Sequence, residues 1–170
     1  MNTSYLTYPL AQRDPRWAAT LLGSSTLTVG RYGCTTTAMC NGLKYFGIYI
    51  TPNDLARNVD NYTKPGNQQG PGLIDWGHLQ LPGGFYFVKR IGSHAAPVRD
   101  DAAINVSLKD PNQFVLLEVD YGQHWVLAVG HTLFGNDYKV DDSWFGDRRT
   151  ACGTYHNITG SAHFARPVTR

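Results

Sequence analysis

Apolar residues keep helical spacing from Cys34 to about Phe46, where Ala38, Met39, Leu43 and Phe46 recur and Gly47 supplies a stop. This predicts a central helix. Thr51-Pro52-Asn53-Asp54 places an N-cap, a proline at the first helical position and an acid in the first turn, predicting a second helix through Leu55 and Val59. The stretch Asp100 to Leu108, apolar at Ala103, Ile104 and Leu108, predicts a short third one.

The pattern then changes period. Phe85 to Ile91, Phe114 to Val119, His124 to Leu133 and Tyr138 to Val140 are rich in β-branched and aromatic residues and bounded by turn signals, so they predict strands. Ser161 to Val168 adds a last strand, and Leu27-Thr28-Val29 has the composition of a short early one. The first thirty residues are otherwise polar and turn-rich, with a compact turn at Gln12 to Trp17. Between Tyr62 and Gly84 six glycines and three prolines predict a long loop with one helical turn, and long loops in compact domains are often functional. Helices first and an antiparallel sheet after imply an α+β domain over 1–170, with a helical lobe at about 12–80, a sheet lobe at about 84–168 and a cleft between them.

Composition narrows the function. The 170 residues suffice for one domain with a real core. A net charge of +2 without a basic run excludes a nucleic-acid footprint, and no segment is long and apolar enough for a membrane span. Met1 to Thr7 lacks the basic and apolar regions of a signal peptide, which implies cytoplasmic synthesis. Three cysteines cannot all pair, and Cys34 and Cys40 on one helix would be about 9 Å apart along its axis, too far for a disulfide. A reducing compartment is the simpler reading. The four Asn-x-Ser/Thr triplets, at Asn2, Asn61, Asn105 and Asn157, are read as chance.

The chemistry centres on Cys34. Gly33 delivers this thiol to the first turn of a helix, where unpaired N–H groups and the helix dipole favour thiolate over thiol. A thiolate that attacks an acyl carbon needs a base, a group to orient the base, and oxyanion donors. His124 opens the run His124-Trp125-Val126-Leu127-Ala128, which would hold its imidazole on a rigid strand facing the same side as Val126 and Ala128. Eighteen residues on, Asp141-Asp142 ends the next strand and could orient it. Because side chains alternate, only one of the two acids can face His124.

These residues resemble the papain-like cysteine peptidases, and among them the bacteriocin-processing, double-glycine-leader peptidases and their phage and bacterial relatives. Four pieces in the family's order carry the resemblance: Gln12-x-Asp14-x-x-Trp17, Tyr32-Gly33-Cys34-Thr35, Gly122-x-His124-Trp125-Val126 and Asp142-Ser143-Trp144-Phe145-Gly146-Asp147. It implies a papain-like fold, the nucleophile helix packed on the sheet. It also implies Cys34 as nucleophile, His124 as general base and acid, Asp142 as orienting carboxylate and Gln12 as oxyanion donor. Gly33, Trp76, Trp125 and Trp144 would line the substrate site. The family's third residue commonly precedes a proline, which Ser143 replaces here, so Asp141 stays a rival. The implied substrate is a protein or leader peptide, or a peptide crossbridge of peptidoglycan, with no cofactor. The resemblance also implies a protein that is virion-associated or released from a phage-infected bacterium. A catalytically silent module for binding or assembly is the rival from another class.

Plainer readings attach to the remaining candidates. Cys40 and Cys152 read as structural, and the pair Cys152/His156 falls short of the four ligands a structural zinc needs. His131, seven residues from His124, should face the other side of its strand. Trp76 and Trp144 more often cap a core than bind a ligand, although both flank the expected cleft. The sequence is silent on oligomeric state.

Overall fold

The β-rich half of the chain forms one six-stranded sheet in which every described pairing is antiparallel. The structure is a computed structural model and describes residues 8–168; the reading of Met1 to Thr7 and the Asn2 triplet lie outside these residues. The strands are β1 (Tyr86–Gly92), β2 (Gln113–Val119), β3 (His124–His131), β4 (Tyr138–Asp142), β5 (Asp147–Thr150) and β6 (Ile158–Ala165), in the order β1-β6-β2-β3-β4-β5. The helices are α1 (Val29–Tyr32), α2 (Cys34–Lys44), α3 (Pro52–Ala56), α4 (Asp101–Lys109) and α5 (Ala151–Tyr155). The class is α+β.

Helices cover both faces of the sheet, which explains the near-continuous apolar run of β2. Phe114 and Leu116 join Ala38, Met39 and Leu43 of α2 in one core, together with Trp125, Leu127 and Phe164. Val115, Leu117 and Val119 point the other way and pack with Val126, Ala128, Val140, Ile104 of α4 and Ala151 of α5. The expected order of helices first and sheet after therefore holds only for the α2 face; α4 and α5 are interleaved with the strands and cover the opposite one.

The other differences have local causes. Leu27 to Val29 is no strand: Thr28 makes a single bridge to Leu21 and Val29 starts α1. The capping box at Thr51/Asp54 forms, but α3 ends at Ala56 and Val59 opens a separate 3₁₀ turn. The long loop carries its one helical turn at Pro82–Gly84. β3 stops at His131 rather than Leu133, and β6 starts at Ile158 rather than Ser161. β5 and α5 have no sequence signal. The first is a charged edge strand, Asp-Arg-Arg-Thr, and the second is five residues with a central glycine.

His131 also departs from expectation. A register shift between Ala128 and Gly130 inserts a bulge, so His131 pairs with Tyr138 and its ring lies 4.9 Å from that of Tyr138. Tyr138 alternates with Val140 and Asp142, so the bulge turns His131 to the face of His124, at the far end of the strand.

Gly33 joins α1 to α2. Its φ of −88° suits any residue, but a Cβ there would lie 2.6 Å from the Val29 carbonyl oxygen and 2.7 Å from the Val29 Cα. Backbone cannot step aside as a side chain can. Gly33→Ala should cost roughly 1–3 kcal/mol by overpacking, read as a lower urea midpoint at unchanged slope.

Candidate active site

Cys34 is the first residue of α2, half-buried, with its sulfur toward the start of β3. There it meets the His124 imidazole and the backbone N–H of Trp125, and Thr35 Oγ1 lies 3.9 Å away. His124 is the first residue of β3. The three residues Asp120, Tyr121 and Gly122 just ahead of it all have positive φ, at 53°, 54° and 84°. Left-handed backbone at two non-glycine residues costs of the order of 1–3 kcal/mol each and turns the chain sharply into the strand.

Strand register decides between the two acids. Leu127 pairs with Asp141, which places Asp142 opposite Val126, on the face shared by Val126 and His124. His124 Nε2 and Asp142 Oδ1 are 3.1 Å apart, leaving Nδ1 for the sulfur. Asp141 faces the other side, where it accepts hydrogen bonds from Arg148 Nε at 2.9 Å and Tyr45 Oη at 2.9 Å.

Asp142 has no solvent exposure, yet both of its carboxylate oxygens have hydrogen-bond partners. Its Oδ1 also accepts the N–H of Trp144 at 2.8 Å, and its Oδ2 accepts the phenol of Tyr155 at 2.5 Å. The Tyr155 ring packs 5.2 Å from the His124 ring. Nothing in the sequence distinguishes Tyr155 from the other tyrosines, because α5 carries no periodic pattern. Ser143, standing where the resemblance expects proline, donates its hydroxyl to the Trp125 carbonyl at 2.9 Å, a tie across the two strands that proline could not make.

These contacts move the ionisation of all three groups. Burial alone would raise the Cys34 thiol pKa, but the hydrogen bond and charge of His124, with the Trp125 N–H, outweigh it and hold the thiol below its ordinary value. Burial alone would lower His124; the bonds to Asp142 and Cys34 outweigh it and lift the imidazole to about 9. Burial likewise opposes the charge on Asp142, whereas His124 and Tyr155 stabilise it and keep its pKa below the usual carboxylate value. The arrangement favours a thiolate–imidazolium pair. Cys40, fully buried, is pushed far up by desolvation, and Cys152 is raised as well; neither is at this site.

Gln12 is buried beside the α1–α2 junction. Its amide nitrogen donates to the Gly30 carbonyl at 3.2 Å and lies 3.5 Å from that of Val29, whereas Oε1 has no partner. Its backbone N–H donates to the Ser143 carbonyl at 2.6 Å, which ties the Gln12 segment to the Asp142 turn. A cleft of about 240 Å³ opens at the sulfur, lined by Tyr32, Thr35, Gln123 and Trp125 and walled by Leu73 and Ile74 of the long loop. Gly33 borders it without lining it. Trp76 packs behind Trp125 at a tilt of 52°, ring centres 5.6 Å apart, and anchors the loop to the sheet. Trp144 lies apart from this cleft, half-exposed under the Arg13 guanidinium at 4.9 Å. Among the described residues no group of three or more His, Cys, Asp or Glu side chains is placed to hold a metal ion, and no helix is long and apolar enough to cross a membrane. No protein-family model matches the chain, and no curated protein does.

Thiolate and imidazolium coexist from the depressed Cys34 pKa up to about 9, where His124 loses its proton. Iodoacetamide should therefore label Cys34 at pH 6 faster than it labels a free thiol of pKa about 8.5, which is only about 0.3% ionised there. Asp142→Asn should move the alkaline edge of this profile down, because His124 loses the carboxylate that helps hold its proton. An alkaline edge unmoved in that variant would show that the carboxylate does not tune the pair.

Proposed function

We propose that the chain is a cysteine hydrolase of papain-like arrangement that cleaves a peptide or amide bond. The observation that carries this reading is the contact chain from thiol to imidazole to buried carboxylate, each group shifted toward its charged form. In the proposed reaction Cys34 attacks the carbonyl carbon, and the His124 imidazolium protonates the departing amine. Neutral His124 then draws a proton from water, and the resulting hydroxyl releases the acyl group from sulfur.

The oxyanion needs donors. The first N–H groups of a helix lack partners within it, and those of α2 begin at Cys34. Gln12 joins them by exchanging its Gly30 carbonyl for the substrate oxygen. Its orphan Oε1 supports such a turn, since the present orientation leaves a buried acceptor unsatisfied.

An extended peptide suits the cleft. The single bridge between Tyr62 and Ile74 leaves the N–H and C=O of Ile74 pointing away from Tyr62, without a partner among the described residues. A free edge of this kind recruits a strand. A protein or leader peptide and a peptidoglycan crossbridge both present such backbone.

Cys34→Ala should abolish hydrolysis of a glycine-rich peptide library and of purified cell walls while circular dichroism and the melting transition stay unchanged. Turnover surviving in that variant would sink the proposal. Between the substrates, solubilisation of walls by the native protein selects the crossbridge, and cleavage confined to the library selects the peptide.

A further inference from the structure

A cation without a carboxylate partner borders the thiol. Arg31 lies three residues before Cys34, is exposed, and lines the same cleft. Its guanidinium rests 5.3 Å from the centre of the Tyr32 ring, and among the described residues it forms no ion pair. The acids around the site are already engaged: Asp14 by Arg16, Asp142 by His124, Asp141 by Arg148 and Glu118 by Arg90. Asp120 lies beside Tyr155, on the α5 side of His124. No residue lining the cleft carries a carboxylate.

The cleft has a direction as well as a charge. His124, which must face the leaving group, is not among the residues lining it, whereas Leu73 and Ile74 are. In the proposed reaction the leaving group lies toward His124, and the space shared by Arg31 and Ile74 takes the acyl side of the scissile bond. Arg31 and Cys34 line the same cleft, and screening at physiological salt acts over about 8 Å, so the effect of this charge at the sulfur should weaken as salt is added.

Resting on the hydrolase reading of this site, we propose that Arg31 selects an acidic substrate, one carrying a carboxylate on the residue that donates the acyl group. The guanidinium fork matches a carboxylate in two parallel hydrogen bonds, and Tyr32 holds it at the cleft mouth.

Paired alkylating reagents test this without a known substrate. Iodoacetate and iodoacetamide differ by one carboxylate, and their rate ratio at Cys34 reports the charge around the sulfur, corrected for any general change in thiol reactivity. Labelling of Cys34→Ala is subtracted to remove Cys40 and Cys152. Arg31→Gln should lower the ratio about 1.5- to 5-fold at low salt, the range of an exposed ion pair. Arg31→Lys should keep most of it, and 1 M salt should bring the variants together. Equal ratios in native protein and Arg31→Gln, at low salt, would overturn the proposal. A failure of the hydrolase reading looks different: Cys34 would then label only above pH 8 with iodoacetamide, and the ratio would be read at pH 9 instead. Where turnover is found, matched peptides with Glu, Gln or Lys on the acyl side should rank in that order, the ranking flattening in Arg31→Gln.

Discussion

A carboxylate with no access to water is the constraint around which the Cys34 end of the sheet is built. Burying a lone charge costs several kcal/mol unless it is paired and hydrogen-bonded, and Asp142 has no solvent exposure. Four elements meet that demand at once. β3 contributes His124, the turn after β4 contributes the N–H of Trp144, α5 contributes the phenol of Tyr155, and β4 sets the face. The β3–β4 register cannot slip by one residue without exchanging Asp142 for Asp141, which would send one acid away from its imidazole and the other away from Arg148 and Tyr45.

The thiol depends on the same arrangement from the other side. Cys34 gains from the start of α2 what any helix N-terminus offers, but desolvation works against it, and His124 decides the balance. That imidazole in turn holds its proton through its bonds to ionised Asp142 and to Cys34 itself. The Gln12 segment closes the assembly by bonding to the Ser143 carbonyl, and Leu10 joins it through the side chain of Asn41 on α2. Two regions far apart in sequence, α2 and the β3–β4 hairpin, are thus tied at both the chemical centre and its rim.

Much of this was legible from residues alone, and the boundary has physical reasons. Helical spacing after Cys34 and the capping signal at Thr51 were readable because both are local patterns. Alternation predicted that one acid at most could face His124, but choosing between them needed the register, which depends on pairing partners that no single strand announces. The bulge at Val129 and Gly130 is of the same kind: a one-residue insertion shifts His131 to the other face, and only the partner strand reveals it. Tyr155 stayed hidden because α5 is too short to show periodicity. Arg31, a lone cation on a surface turn, gained meaning only once the surrounding acids were seen to be engaged.

The rings behind the cleft form an unbroken series. Phe46, Phe85, Phe114, Phe164 and Trp76 follow one another at centroid separations of 4.7, 5.3, 4.6 and 6.2 Å, and Trp76 passes the series to Trp125 at the cleft floor. Two indoles this close exchange excitation, and one of them is wetted by the cleft. The fold therefore carries its own optical gauge: filling the cleft replaces water against Trp125 and alters the emission of the pair, so occupancy becomes visible in the unlabelled protein.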